Sequence, residues 1–232
     1  MNLQDSGQRR EVEFTGVLNY PVTRYRPPPT MLDLFEETLQ PDITWIDHWL
    51  SPEAASAVFA KLMDEVAWQQ DEMNTPAGKM PFPRLTSWQG DPDAVYIYSG
   101  IRNVPKPWTP TVATLKAQAE ITANANFNSV LINRYRTGMD SMGWHSDKEH
   151  ELGDEPTIAS VSLGATRTFD FRHKKTRLTH TLRLTNGSLL VMRGRTQLDW
   201  AHRVPKEPKT QGERINLTFR WIKVEEGEKK IR

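Results

Sequence analysis

Toward the C-terminal end of the chain, Arg214, Asn216, Thr218 and Arg220 alternate with Ile215, Leu217, Phe219 and Trp221. A β-strand sends alternate side chains to opposite faces, so this run predicts a strand with one apolar face and one cationic, hydrogen-bonding face. Solvated faces usually mix Lys, Glu and Thr, whereas Arg-Asn-Thr-Arg supplies fixed donors suited to a carboxylate. Two shorter segments repeat the pattern: Asn133 and Tyr135 share a face in residues 130–136, and His145 and Asp147 share one in residues 144–147. Together they predict a sheet whose inner surface is a polar chamber.

The rest of the chain divides by period. Residues 1–30, ending in Tyr25-Arg26-Pro27-Pro28-Pro29, read as an arm with little regular structure. Ser51-Pro52-Glu53 is a helix start, with a hydroxyl cap, Pro at the first position and an acid in the first turn. Ala55, Phe59, Leu62 and Val66 follow as its apolar stripe. Thr109-Pro110 opens a second helix, with the stripe Val112, Leu115 and Ala119. Residues 71–100 between them, rich in Pro, Gly and aromatics, read as irregular. From residue 127 the pattern favours strands, at 127–136, 157–173, 180–184, 188–192, 200–204 and 214–222, with a turn at Asn186-Gly187. Helices first and an antiparallel sheet afterwards predict an α+β fold, the helices packed on the outer apolar face of one sheet of a sandwich or jelly roll.

Composition narrows the chemistry. The 232 residues include no Cys, which removes disulfides, thiolate zinc, iron–sulfur clusters and a cysteine nucleophile. No signal-like or membrane-length apolar run is present, so the expectation is a soluble cytoplasmic protein without a membrane partner, by default a monomer. Net charge is only +1. Its distribution is lopsided: residues 33–91 hold eleven acids against three bases, and residues 167–209 eleven bases against three acids. Such asymmetry fits either an electrostatic footprint or a solvated basic hairpin.

His145-Ser146-Asp147 puts an imidazole and a carboxylate on one face, and His202 arrives on a later strand. Two His and a carboxylate form the facial triad of non-haem iron(II) oxygenases, leaving positions open for a cosubstrate and dioxygen. The triad and the cationic strand explain one another, because 2-oxoglutarate needs a buried cation for its far carboxylate. His150, His173 and His180 read as surface residues, His150 at the site's rim, and His48 as a core histidine.

At these residues the chain resembles the AlkB family of iron(II)- and 2-oxoglutarate-dependent nucleic-acid demethylases. The resemblance spans residues 83–100 and 127–221. It rests on Asn133-Arg134-Tyr135, His145-Ser146-Asp147, Ser162-Leu163-Gly164-Ala165-Thr166-Arg167, Trp200-Ala201-His202-Arg203-Val204-Pro205 and Arg214-Ile215-Asn216-Leu217-Thr218-Phe219-Arg220. Residues 164–174 and 199–207 are most similar to members acting on single strands. The family implies a double-stranded β-helix, or jelly roll, in residues 127–232. Residues 31–126 would be helical support and nucleotide-recognition lid of the same domain. It implies Fe(II) held by His145, Asp147 and His202, with 2-oxoglutarate and dioxygen as cosubstrates. Arg214, helped by Tyr135 and Asn216, would take the far carboxylate; Arg220 and Asn133 would contact the carboxylate beside the keto group.

The lid resemblance lies in Pro83-Arg84-Leu85-Thr86-Ser87-Trp88-Gln89-Gly90-Asp91 and Tyr96-Ile97-Tyr98-Ser99-Gly100. Arg84, Trp88, Tyr96, Tyr98, Ser99 and Glu149 are the substrate-side candidates, since an extruded base needs stacking partners and cations for its phosphates. The aromatics fit core closure equally well. Several relatives carry a second acid after the metal Asp; here Lys148 stands there, so either Glu149 pairs with Arg84 or Arg84 is free for phosphate. No clear duplex-opening wedge is present in 71–82, with Met80 and Phe82 the nearest substitutes, so the expectation is single-stranded alkylated DNA, with RNA as the alternative. The lesions implied are 1-methyladenine and 3-methylcytosine. Three other readings stand: a zinc hydrolase, which leaves the cationic strand unexplained; a 2-oxoglutarate hydroxylase of a free amino acid or other small molecule; and an inactive nucleic-acid-binding module.

Overall fold

The computed structural model describes residues 39–75, 78–98 and 101–223; the predicted arm lies outside them. The alternation at the C-terminal end determines the layers. Strand β14 (Arg214–Arg220) lies between β7 (Ser129–Tyr135) and β9 (Ile158–Gly164), antiparallel to both. Arg214 stands opposite Tyr135 and Gly164, and Asn216 opposite Asn133 and Ser162, so the polar positions of three strands share one face. With β12 (Ser188–Met192), β1 (Ile43–Ile46) and β4 (Leu85–Gly90), they form a six-stranded major sheet of order β1-β12-β9-β14-β7-β4. A four-stranded minor sheet follows the order β11-β10-β13-β8. Its strands are β11 (Thr179–Leu184), β10 (Arg167–His173), β13 (Trp200–Val204) and β8 (Met142–His145). Two hairpins, β2 (Glu72–Thr75) with β3 (Gly78–Pro81) and β5 (Tyr96–Tyr98) with β6 (Ile101–Asn103), stand apart from both sheets.

Helix α1 (Pro52–Glu65) begins as predicted, with Ser51 Oγ accepting from Ala54 N at 3.2 Å. Helix α2 (Pro110–Ala123) begins at Pro110, but the Thr109 hydroxyl makes no capping bond. Glu65 of α1 supplies the cap instead, accepting from Thr111 N at 3.2 Å and Thr111 Oγ1 at 2.7 Å. One carboxylate thereby satisfies an orphan donor and ties the helices together. Leu62 and Leu115 of the helices pack on Ile132, Val161, Leu217 and Phe219, the outward face of the major sheet. Burying each such side chain contributes about 1.5–3 kcal/mol. A second cluster, including Ile158, Phe171, Leu182, Leu190 and Trp200, fills the space between the sheets beside the polar chamber. This is the predicted jelly roll with helices on one outer face.

Three sequence expectations change. Residues 157–173 form two strands rather than one: the chain breaks after Gly164 (φ +83°), where a Cβ would come within 2.3 Å of Glu213 O. That turn carries the chain from the major sheet into the minor one. Residues 71–100 contain strands β2 to β5, and β4 pairs along its whole length with β7. Strand β1, not predicted, pairs with β12. Both β1 and β4 are edge strands whose partners lie far along the chain, so their pairing has no local signature.

Candidate metal centre and dicarboxylate chamber

The register sets the site. His145, the last residue of β8, pairs directly with His202 of β13, their ring centroids 4.2 Å apart. Asp147 lies two residues past the end of β8, so it reaches the same point from a loop rather than from the predicted strand face. One ligand atom from each of His145, Asp147 and His202 lies within 4.8 Å of the others. Each member is oriented from behind. His145 Nδ1 donates to Gly143 O at 2.9 Å, which leaves Nε2, 4.0 Å from Asp147 Oδ1, with its lone pair. His202 stacks on Phe169 with centroids 5.2 Å apart. Asp147 is fixed at both ends: its N–H donates to Gln197 Oε1 and its Oδ2 accepts from Arg220 Nη2, each at 2.9 Å.

The electrostatics favour a cation among these ligands. Burial pushes the Asp147 carboxyl up, but the charges of Arg220, His202 and His145 outweigh it, so it lies well below the usual carboxylate range. Burial and the charge of His145 push His202 down to about 3, against the upward pull of Asp147. A neutral imidazole and an ionised carboxylate are the protonation states a metal requires.

Deeper in the chamber stands Arg214, 1% exposed. Its Nη2 donates to Ser162 Oγ at 2.8 Å, while Nε and Nη1 are buried with no partner. Its guanidinium carbon lies 5.1 Å from the Tyr135 ring centroid, and no carboxylate is within ion-pair reach among the described residues. Buried donors left unmatched are costly, and burial pushes this guanidinium down from its ordinary value. A carboxylate there would give both nitrogens an acceptor, so the donor set fits a dicarboxylate whose other end reaches the metal ligands.

The other predicted residues take different positions. Asn216 commits both amide hydrogens, to Ser160 Oγ at 2.8 Å and Val161 O at 3.0 Å, and its Oδ1 accepts from Thr218 Oγ1 at 3.1 Å. It braces the chamber floor. Asn133 Oδ1 accepts from Arg84 Nε at 2.8 Å, and Arg84 also donates to Ser141 O at 3.3 Å and lies over the Phe82 ring. Arg84 is therefore buried and committed, neither paired with Glu149 nor free for phosphate. Trp88 packs with Ala94, Leu152 and Ile222. The side chains of Tyr96 and Tyr98, and all of Ser99, lie outside the described residues. His48 is exposed and paired with Asp47 at 3.6 Å rather than in the core, because the short apolar run around it ends in a turn. His173 is buried against Trp200, contrary to its charged neighbourhood, and His180 is half-buried against the same ring. His150 is exposed.

Gln197, Ser160 and Ser162 escaped sequence reasoning. The two serines alternate inward along β9, a signal visible only once that strand is known to face the chamber. For Gln197 there was no signal beyond its position five residues before His202.

The chain matches the model of the 2OG-Fe(II) oxygenase superfamily over residues 42–220. It is 39% identical over 218 residues to the alpha-ketoglutarate-dependent dioxygenase alkB homolog 3 of Mus musculus, covering 87% of this chain and 76% of that protein. The Homo sapiens protein of the same name is 38% identical, with the same coverage of each chain. The DNA oxidative demethylase ALKBH2 of Homo sapiens is 41% identical over 148 residues, 60% of this chain and 57% of that protein. A solved structure titled "The structure of OsALKBH1" covers 78% of this chain and 99% of its own at a TM-score of 0.56 and 19% identity, a likeness of fold.

Proposed function

We propose, from the premise that this chain belongs to the 2OG-Fe(II) oxygenase superfamily, that it removes alkyl groups oxidatively from damaged bases in DNA or RNA. The protein is an Fe(II)- and 2-oxoglutarate-dependent dioxygenase of the AlkB kind. The observation that carries the chemistry is Arg214: a buried guanidinium with two unpartnered nitrogens in the same chamber as a His-Asp-His cluster. Breaking a buried charge pair costs about 3–5 kcal/mol, so an Arg held here without its partner marks the seat of a ligand carboxylate.

His145, Asp147 and His202 would hold the iron, which with 2-oxoglutarate and dioxygen would supply the oxidising equivalents for hydroxylating an N-alkyl carbon. Arg220 and Gln197 keep the Asp147 carboxylate turned toward the two imidazoles. Arg214 anchors the far carboxylate against Tyr135, while Ser160, Asn216 and Thr218 form a hydrogen-bonded floor that does not compete for it. Asn133, braced by Arg84, stands opposite Asn216 in the register. Arg84 thereby couples the lid strand β4 to the chamber rather than touching phosphate. A hydroxylated N-methyl group then breaks down to formaldehyde and the unmodified base. 1-Methyladenine and 3-methylcytosine carry a positive charge, which Asp147 and Glu149 favour at the chamber.

The substrate is a single strand in this reading. Phe82 is held under Arg84, which leaves the exposed Met80 as the nearest apolar side chain that could enter a duplex. The absence of Cys fits the reducing cytoplasm.

The test is anaerobic reconstitution with iron(II), then air, 2-oxoglutarate and a 1-methyladenine oligonucleotide, offered single-stranded and duplexed, as DNA and as RNA. Mass spectrometry follows loss of the methyl group while succinate is assayed in parallel. Demethylation fastest on single strands is the expected result. Succinate without demethylation would assign the same iron chemistry to a small-molecule substrate. Neither product, from folded metal-loaded protein, would leave only the binding module.

A further inference from the structure

Two asparagines face the chamber from neighbouring strands, Asn133 of β7 and Asn216 of β14, directly opposite in the register. Both are buried, and an amide can present either its oxygen or its NH2 group to a ligand. In each case a neighbour with a single hydrogen-bonding role decides which. For Asn216 that neighbour is Val161 O, which can only accept. Nδ2 therefore turns to Val161 O and Ser160 Oγ, and Oδ1 takes the Thr218 hydroxyl. Asn216 has no hydrogen left for a ligand.

For Asn133 the deciding neighbour is Arg84, whose guanidinium carries donors and no acceptor. Arg84 Nε lies 2.8 Å from Asn133 Oδ1. Turning the amide by half a rotation would set Nδ2 against this cation, donor to donor. With Oδ1 held, Nδ2 is the group left over: it makes no bond among the described residues and is not sealed in packed protein. Arg84 is itself fixed for this contact. It stands two residues before Thr86, the β4 partner of Asn133, and so on the same face. Its Nη1 donates to Ser141 O at 3.3 Å, and its guanidinium carbon lies 4.7 Å from the Phe82 ring centroid. Ser141 N donates in turn to Pro83 O at 3.0 Å, which ties the start of β4 to the residue before β8. An amide oxygen, a carbonyl and a ring are all neutral partners, so these contacts form no ion pair. What the cation supplies to Asn133 is a charge-assisted bond, roughly twice as strong as a neutral one.

We propose that Arg84 is a positioning residue for the cosubstrate. By holding Asn133 Oδ1, it keeps Asn133 Nδ2 turned to the chamber as a donor for the 2-oxoglutarate carboxylate beside the keto group. The inference rests on the dioxygenase reading of the chamber. Arg84 touches neither 2-oxoglutarate nor nucleic acid in this role; it acts through the amide of Asn133.

The experiment titrates the iron(II)-loaded full chain with 2-oxoglutarate without oxygen, following the visible absorption that appears when the keto acid binds iron. Arg84→Met keeps an apolar contact with Phe82 and removes the donor, so it should weaken 2-oxoglutarate about tenfold, the effect of losing one hydrogen bond to a charged group. Arg84→Lys, which can still donate to Oδ1, should recover most of that loss. Asn133→Ala should weaken binding by itself, and adding Arg84→Met to it should weaken binding no further, since the two act as one unit. Binding by Arg84→Met as tight as wild type, or losses that add in the double variant, overturn the proposal, as does a wild type that shows no absorption. Should Arg84→Met not fold, Arg84→Gln takes its place in the cycle. A Gln amide can donate or accept and no longer dictates the turn of Asn133, so the same outcomes decide. No nucleic acid is present in the titration, so a wild type that binds 2-oxoglutarate but demethylates nothing overturns the nucleic-acid reading alone.

Discussion

Arg167 and Arg214 are two arginines in nearly the same circumstances with opposite outcomes. Each is 1% exposed, and their guanidinium carbons lie 5.5 Å and 5.1 Å from the centroid of the same Tyr135 ring. Arg167 is saturated: Nε donates to Glu207 at 2.9 Å, and its other nitrogens reach the carbonyls of Thr137, Gly138, Asp140 and Pro205. Arg214 has Ser162, the Tyr135 side chain beside it, and two buried nitrogens, Nε and Nη1, with no hydrogen-bond partner among the described residues. A fully matched buried cation holds the fold, whereas an unmatched one destabilises the free protein and holds a ligand. Burial and charge are equal in the two, so the census of partners is what separates structure from function.

The largest effect should come from Arg214→Met. A buried pair broken on one side costs about 3–5 kcal/mol, so the 2-oxoglutarate KM should rise by about two to three orders of magnitude. Folding stability should stay within about 1 kcal/mol of wild type, or increase, because an apolar replacement removes an uncompensated buried charge. A denaturant midpoint that fell with an unchanged KM would make Arg214 a second structural arginine.

Arg167→Met should do the reverse. It leaves Glu207 to Thr168 and Arg183 but strands several buried carbonyls, each costing about 1–3 kcal/mol in urea unfolding, while 2-oxoglutarate KM in the protein that remains folded changes little. Next in size is the effect of the ligand itself. With iron present, 2-oxoglutarate at a hundred times its Kd should stabilise wild type and Arg167→Met by about 2.7 kcal/mol and leave Arg214→Met unmoved. Protection of all three proteins would break the distinction.

The pH dependence separates them more gently. Burial pushes the Glu207 carboxyl up, but bonds from Thr168, Arg167 and Arg183 outweigh it and hold it at about 2. A depressed carboxyl contributes stability above its unfolded value and loses it as pH falls through its folded one. Wild type should therefore weaken from about pH 4.5 down to 2. The slope should be shallower in Arg167→Met and unaltered in Arg214→Met, as read from urea midpoints at each pH.

The same logic explains what the sequence disclosed. Strand β14 was legible because period-two alternation needs only local geometry, and the triad was legible because the cationic strand and the motifs around it gave a common His-x-Asp pair its meaning. The saturation of Asn216 and the pairing of Arg84 with Asn133 were not, since they depend on β9 and β4 lying beside strands far away in sequence. Arg167 was visible only as the end of a motif; nothing in its neighbours announces four carbonyl acceptors from two separate loops.

Gln197 stands between the two arginines. Its Nε2 reaches Met192 Sδ at 3.4 Å and its Oε1 takes the Asp147 N–H, so it belongs both to the packing between the sheets and to the metal ligand. Gln197→Leu removes one acceptor and leaves a buried N–H, which costs about 1–3 kcal/mol if nothing replaces it. If Gln197 only packs, Leu should substitute for it, with the loss seen in unfolding alone. If it orients Asp147, the outer-shell contact is worth a factor of about 10–100 in metal affinity, and the loss divides between folding and iron. Titration with a spectroscopically visible divalent metal, beside urea unfolding of the metal-free protein, separates the two. Weakened metal binding with nearly intact folding would place Gln197 with Arg214, among residues whose value to the molecule appears only when the chamber is filled.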